Sequence, residues 1–222
     1  MRRPVRSLAW VGVAGALALT SSLAAATPSA AAPGGGECTL NGTASFDGSG
    51  LTTTSAPFTY NFAGDLSGCN SNNNAPASGT VKAGTAYQLS VPYTVNGVTY
   101  SATYALPEPS GTGSCAQSTT SGVALATWSD GSNTVISYNT TGAAAEIVLQ
   151  GTVVPSVDTV LMSFTGPTPP TSAPPAVSSG PDFAAGDGAL GQLAFSTTTP
   201  QACQTGLASA AISGVVGIGS TS

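Results

Sequence analysis

Chemistry in this 222-residue chain has to come from carboxylates, hydroxyls and four cysteines, because histidine is absent and cations are almost absent. Arg2, Arg3 and Arg6 crowd the first six residues, which leaves Lys82 alone against nine Asp and Glu. Without histidine there is no Ser-His-Asp or Cys-His relay and no imidazole-bound metal. Without arginine beyond the first residues there is no guanidinium fork for phosphate or nucleic acid. The acidic balance, with a sequence pI of about 4.1, repels nucleic acid and anionic membrane surfaces, so neither is expected as a partner.

The carboxylates available for acid/base work are Asp47, Asp65, Glu108, Asp130, Glu146, Asp158, Asp182 and Asp187. A small secreted hydrolase could use two of them at glycosidase separation. Their settings point elsewhere. Asp47-Gly48, Asp130-Gly131 and Asp187-Gly188 are turn dipeptides, in which the side chain bonds nearby backbone. Two oxygen-rich loops, Asp130–Asn133 and Asp47–Gly50, lack the spaced ligands and distal carboxylate of a calcium loop. No catalytic residue, metal site or cofactor is expected. Trp128, the single tryptophan outside the leader, is the one binding candidate. It alternates with Ala124 and Ala126, so its ring could stand on a shallow surface and stack on a sugar; the competing reading is an ordinary core tryptophan. Lys82 is read as an exposed lysine rather than half of a buried Lys–Asn crosslink.

The elements that must position these residues begin with a leader. Three arginines precede an apolar run, Leu8–Leu19, that is short for a membrane span, and small residues follow. Residues 1–32 read as an export signal, cleaved after Ala32 or, alternatively, Ala26. Residues 33–222 then form a single secreted, extracellular domain. Cys38, Cys69, Cys115 and Cys203 are an even set in an exported protein and point to two disulfides. The runs Cys38–Phe46 and Phe58–Cys69 look like one hairpin with cysteines at its open end, which favours Cys38–Cys69 and Cys115–Cys203.

Beyond the leader the pattern is strands and turns. Residues 87–95 and 98–106 alternate around Asn96-Gly97, a strong two-residue hairpin signal. This register sets Tyr93 opposite Tyr100 and Leu89 opposite Tyr104, and Pro92 places its strand at an edge. A second hairpin turns at 130–133, with Val123, Leu125, Ile136 and Tyr138 expected on one face and Ala124, Ala126 and Trp128 on the other. Further strands are expected at 146–154, 157–164, 190–196 and 210–219. Residues 165–188 hold six of the sixteen prolines and read as a long covering or mobile loop. A polar-Gly-β-branched-apolar pattern recurs at Asn41, Ser78, Gln150 and Ser213 with irregular spacing, which favours strand grammar over a repeat. The fold class is all-β: an antiparallel β-sandwich of about ten strands with two disulfides, or alternatively a closed β-barrel. The strands show no lipid-facing apolar band of the kind a porin-like barrel carries.

Several segments together are similar to uncharacterised exported proteins of actinobacteria. They are Cys38–Phe46, Ser67-Gly68-Cys69, Cys115 followed by Trp128–Gly131, Gln150–Val153 and Ile212–Gly219. The resemblance implies bacterial secretion and bridged cysteines and carries no activity. The functional expectation is therefore a secreted, non-enzymatic β-domain with a binding, surface or structural role, its partner a cell-surface glycan or protein. The alternatives are a carbohydrate-binding module built on Trp128 and the carboxylate-pair hydrolase.

Overall fold

Alternating Thr, Val, Ser and Ala, broken every ten residues or so by turn formers, give each segment one apolar and one polar face. The computed structural model describes residues 36–71, 76–197 and 202–219. The expected leader and its two expected cleavage positions lie outside them. Among the described residues there are fourteen strands: β1 (Gly36–Phe46), β2 (Ala56–Ser71), β3 (Gly79–Ala83), β4 (Gln88–Val95), β5 (Val98–Ala105), β6 (Ser110–Gly113), β7 (Gln117–Trp128), β8 (Asn133–Ala143), β9 (Glu146–Val154), β10 (Ser156–Asp158), β11 (Val160–Phe164), β12 (Ala176–Ser178), β13 (Gly188–Ser196) and β14 (Ser209–Gly219). One helical turn, α1 (Ala202–Thr205), precedes β14.

Of the two all-β architectures, the chain adopts the closed barrel and not the sandwich. The antiparallel order β1-β14-β13-β9-β8-β7-β3-β2 returns to its start because β1 also pairs with β2. Closure leaves no free edge among these eight strands, and an apolar interior then satisfies every inward face at once. The stave between β2 and β7 is split. β3 covers residues 62–66 of β2 and β6 covers residues 56–59, and both also pair with β7. Between them the chain leaves the wall at Gly84 and re-enters at Pro109, whose carbonyl accepts the Tyr60 amide at 3.1 Å.

The segment that leaves the wall builds the β4–β5 hairpin. Its Asn96-Gly97 turn has φ of 49° and 81°, as a type I′ turn requires. Tyr93 pairs with Tyr100 and Leu89 with Tyr104. This hairpin is not a wall of the main core. It joins β11 in a separate three-stranded sheet, ordered β11-β5-β4, with Pro92 on the edge strand. Much of its tyrosine face is therefore only half-buried.

The proline-rich stretch covers the barrel. It contributes β12, which pairs with β10. With Leu106 and Tyr87 it buries Leu125 and Val135 on the outer side of β7 and β8, where Val177 packs.

The β7–β8 register corrects the expected faces of the second hairpin. Thr127 pairs with Asn133 and Ala124 with Ile136. Ala124, Ala126, Trp128, Ile136 and Tyr138 all point inward, while Leu125 and Val135 point out. The cause is the turn: Trp128 and Ser132 close around three residues, with the Trp128 amide donating to the Ser132 carbonyl at 2.9 Å. An odd loop reverses facing relative to an even one.

The recurring glycines also find a reason. Gly42, Gly79, Gly151 and Gly214 all sit at inward register positions. A Cβ on Gly42 would stand 2.5 Å from Phe62 Cζ, and one on Gly79 would stand 3.0 Å from Trp128 Cε3. These two glycines leave room for rings to lie across the inner wall.

Candidate functional site: the barrel interior

The inner wall alternates small residues with large ones. Ala44, Ala83, Ala124, Ala126 and Ala189 are buried among Leu40, Leu66, Val81, Ile136, Leu193 and Ile212. Small eight-stranded barrels are just wide enough for side chains to fill them or to hold one small ligand. Here the alanines and glycines leave a cavity of about 150 Å³. Its lining is mostly apolar and drawn from all the barrel strands, and it includes Phe46, Phe58, Phe62 and Phe195. No Asp, Glu or Lys lines it. An unfilled apolar cavity of that size forgoes roughly 3–4 kcal/mol of packing, at about 24 cal/mol per Å³. That is a large share of the 5–15 kcal/mol that typically separates folded from unfolded domains.

The polar content of the interior is a group of hydroxyls. Tyr60 and Tyr138 are buried with their Oη atoms 2.8 Å apart. Tyr60 also meets Thr120 Oγ1 at 3.1 Å. Burial raises the pKa of both phenols, that of Tyr138 well above its ordinary value of 10.0. Phe46, Phe58 and Tyr60 form an aromatic triad beside them, with centroids 5.8–6.2 Å apart.

Trp128 stands at one end of this interior. It is 4% exposed. Its Nε1–H donates to buried Thr134 Oγ1 at 2.8 Å, and its ring packs on Phe183 at 5.5 Å. The face that sugar stacking would need is occupied by Phe183, a residue of the proline-rich excursion. Asp187 anchors that excursion. Its carboxylate accepts the Ala184 amide at 2.9 Å, and its carbonyl accepts the Val153 amide at 2.8 Å. The Ser132 hydroxyl donates to Asp182. Ser179 Oγ takes the Val135 amide and donates to the Val154 carbonyl.

The opposite end is covered by residues 47–55 and 202–208. Leu51 and Leu207 form a two-way backbone bridge and are both buried. Cys115–Cys203 ties this cover to the rim, and Cys38–Cys69 clamps β1 to β2 at the Trp128 end. The cysteine pairing is the one expected from the hairpin argument.

Asp130 and Asp187 bond backbone within their own turns, whereas Asp47 reaches side chains of β2. Asp47 accepts Thr59 Oγ1 at 2.8 Å and Asn61 Nδ2 at 3.5 Å. Asp130 Oδ1 accepts the Ser132 amide at 2.9 Å, and the hydrogen bonds from Ser132 hold its pKa below the ordinary value. Among the described residues, no three His, Cys, Asp or Glu gather as a metal site would need. Lys82 is exposed on the outer face of β3. An outer groove near β6 is lined by Asp47, Thr59, Ser110, Thr112, Ser121 and Asn139, with Phe58 its one aromatic.

The interior cavity escaped the sequence reading. The signal that could have found it was the set of alanines and glycines at inward positions, which composition alone does not separate from outward ones. No protein-family model matches the chain, and neither a curated protein nor a solved structure is similar enough to carry an inference.

Proposed function

We propose that this protein is a secreted, non-enzymatic binding domain that holds a small apolar molecule inside its barrel. The observation that carries the reading is the apolar cavity of about 150 Å³, lying between the Trp128–Phe183 contact and the Leu51–Leu207 bridge and lined by no carboxylate or amine. A chain selected only for rigidity would gain by filling that space, since replacing inward alanines by larger residues would recover packing. Cavities of this size and lining stay dry and take up benzene-sized molecules. Two disulfides support an oxidising, extracellular setting. The outer wall presents Thr39, Asn41, Asp65, Thr80 and Lys82 to solvent. Charged and amide side chains of this kind are not what a lipid-facing wall presents, although Val148, Leu190 and Val215 are also exposed on β9, β13 and β14.

The test is a toluene titration of the disulfide-bonded protein, read as thermal stability. Binding to the folded state raises Tm with concentration, by about 2.7 kcal/mol of stability at a hundred times Kd. Ala189→Leu, which fills the cavity from buried Ala189, should abolish the rise while far-UV circular dichroism stays β-type. A Tm indifferent to toluene at saturation sinks the reading.

A further inference from the structure

The interior hydroxyls form a row rather than a cluster. Tyr138 Oη lies 2.8 Å from Tyr60 Oη, which lies 3.1 Å from Thr120 Oγ1, which lies 2.7 Å from Thr140 Oγ1. All four residues line the cavity. Four hydroxyls carry four hydrogens, and three contacts use three of them. One hydrogen is therefore left over, and where the three bonds run in one direction it lies at an end of the row, on Tyr138 or on Thr140. The row runs from buried Tyr138 towards half-buried Thr140, nearer the cover that carries Leu51 and Leu207.

The remaining lining sets the other half of the recognition. It offers no cation to a carboxylate and no carboxylate to an amine. A charged ligand would lose its hydration without a partner, a cost of several kcal/mol. A pure hydrocarbon would fit the walls and leave the spare donor unanswered. Because burial pushes the Tyr138 and Tyr60 phenols upward in pKa, both remain protonated donors at neutral pH.

Resting on the reading of the cavity as a ligand site, we propose that its ligand is a small neutral amphiphile. It has an apolar body of roughly six to ten non-hydrogen atoms and one acceptor oxygen, a carbonyl or ether, that takes the spare hydrogen of the Tyr138–Tyr60–Thr120–Thr140 row. The apolar body lies among Leu40, Leu66, Val81 and Ile212.

Three probes of matched shape separate the possibilities: cumene, acetophenone and benzoate, titrated into the disulfide-bonded protein by calorimetry or NMR. Cumene and acetophenone bind, and benzoate does not. Deleting an end hydroxyl withdraws the row's donor by 2.8 Å in Tyr138→Phe or by 2.7 Å in Thr140→Val. One of these two variants should weaken acetophenone about tenfold, the worth of a net hydrogen bond, and leave cumene within about twofold. Thr140 is only half-buried, so its variant keeps the test alive if Tyr138→Phe folds poorly. If both variants leave the acetophenone-to-cumene ratio unchanged, or if benzoate binds tightest, the amphiphile proposal is overturned while the cavity reading stands. If none of the three binds, both fall.

Discussion

The two ends of the barrel are closed by different physics. At the Trp128 end, a segment of the excursion is bonded into the wall. Phe183 stacks on Trp128, Ser179 bridges the backbones of β8 and β9, and Asp187 fixes the loop that carries the plug. At the other end, Leu51 and Leu207 lean on each other and on Phe46, Phe58 and Phe195. That cover is held by a two-residue bridge, a few further backbone bonds, the exposed hydrogen bonds of Asp47 to Thr59 and Asn61, and Cys115–Cys203. Aromatic burial with satisfied side-chain hydrogen bonds makes a plug that opens only at close to the cost of global unfolding. A short apolar cover on a covalent tether can lift locally at lower cost. On the reading of the cavity as a ligand site, the contrast predicts that the ligand passes through the tethered cover.

The largest expected effect tests the plug. Trp128→Ala removes a buried ring and leaves the Thr134 hydroxyl without its partner, which should cost about 3–5 kcal/mol. Leu207→Ala at the cover should cost about 2–5 kcal/mol by the same packing rule, but with a different kinetic signature. Measured by urea unfolding and by toluene exchange, Trp128→Ala should act on global stability, and Leu207→Ala should also speed exchange. If both variants speed exchange equally, the ends are equivalent and the contrast is wrong.

Next in size is the tether. Cys115–Cys203 closes a separation of 88 residues and Cys38–Cys69 one of 31. Chain-entropy estimates put their contributions near 4.6 and 3.7 kcal/mol. Replacing Cys115 and Cys203 together by serine should lower Tm more than replacing Cys38 and Cys69, and it alone should accelerate release of toluene. Equal release rates in the two double variants would break the assignment of the cover as the mouth.

The difference between these ends also marks how far the sequence could be read. Local chemistry was legible. Asn96-Gly97 announced its turn, Pro92 its edge, and the cysteines at the open end of the first hairpin their pairing. Closure was not, because barrel and sandwich share the same in-out alternation. What separates them is the pairing of β1 with both β2 and β14, the latter joining residues as far apart as Gly36 and Ile218. The place of Trp128 was hidden by one turn. The three-residue closure between Trp128 and Ser132 moved the alanine face from outside to inside, so residues that looked like a bare surface became space for a ring and a cavity. Phe183 gave no signal at all, since it lies in a proline-rich stretch with no periodicity.

A smaller effect comes from the hydroxyl row between the ends. Tyr60 and Tyr138 have folded pKa values above those of an unfolded chain. Their contribution is fully present below the unfolded value of about 10 and is lost as pH rises toward the folded values, because only the unfolded state then releases protons. Stability should fall above pH 10 by up to about 1.4 kcal/mol per pH unit for each phenol. Tyr138→Phe should flatten that decline when ΔG of unfolding is followed by urea melts from pH 8 to 11. An unchanged slope would mean that the phenols titrate alike in both states.

The smallest expected effect separates the ends without changing either. Asp130 sits fully exposed in the turn at the plug end, and its carboxylate accepts the Ser132 amide at 2.9 Å. Its pKa is lowered from the ordinary 3.8, chiefly by that backbone hydrogen bond. A depressed folded pKa stabilises the turn above the unfolded value, and the gain is lost as pH falls through the folded one. The Ser132 amide resonance should therefore titrate with a midpoint below 3.8. The Leu207 amide at the cover donates to the Leu51 carbonyl at 2.7 Å and has no carboxylate beside it in the sequence, so its resonance should not follow that titration. A Ser132 midpoint at or above 3.8 would remove the hydrogen bond from the account of the turn. A Leu207 shift in step with it would show the two ends to be coupled, which a rigid plug and an independently tethered cover do not allow.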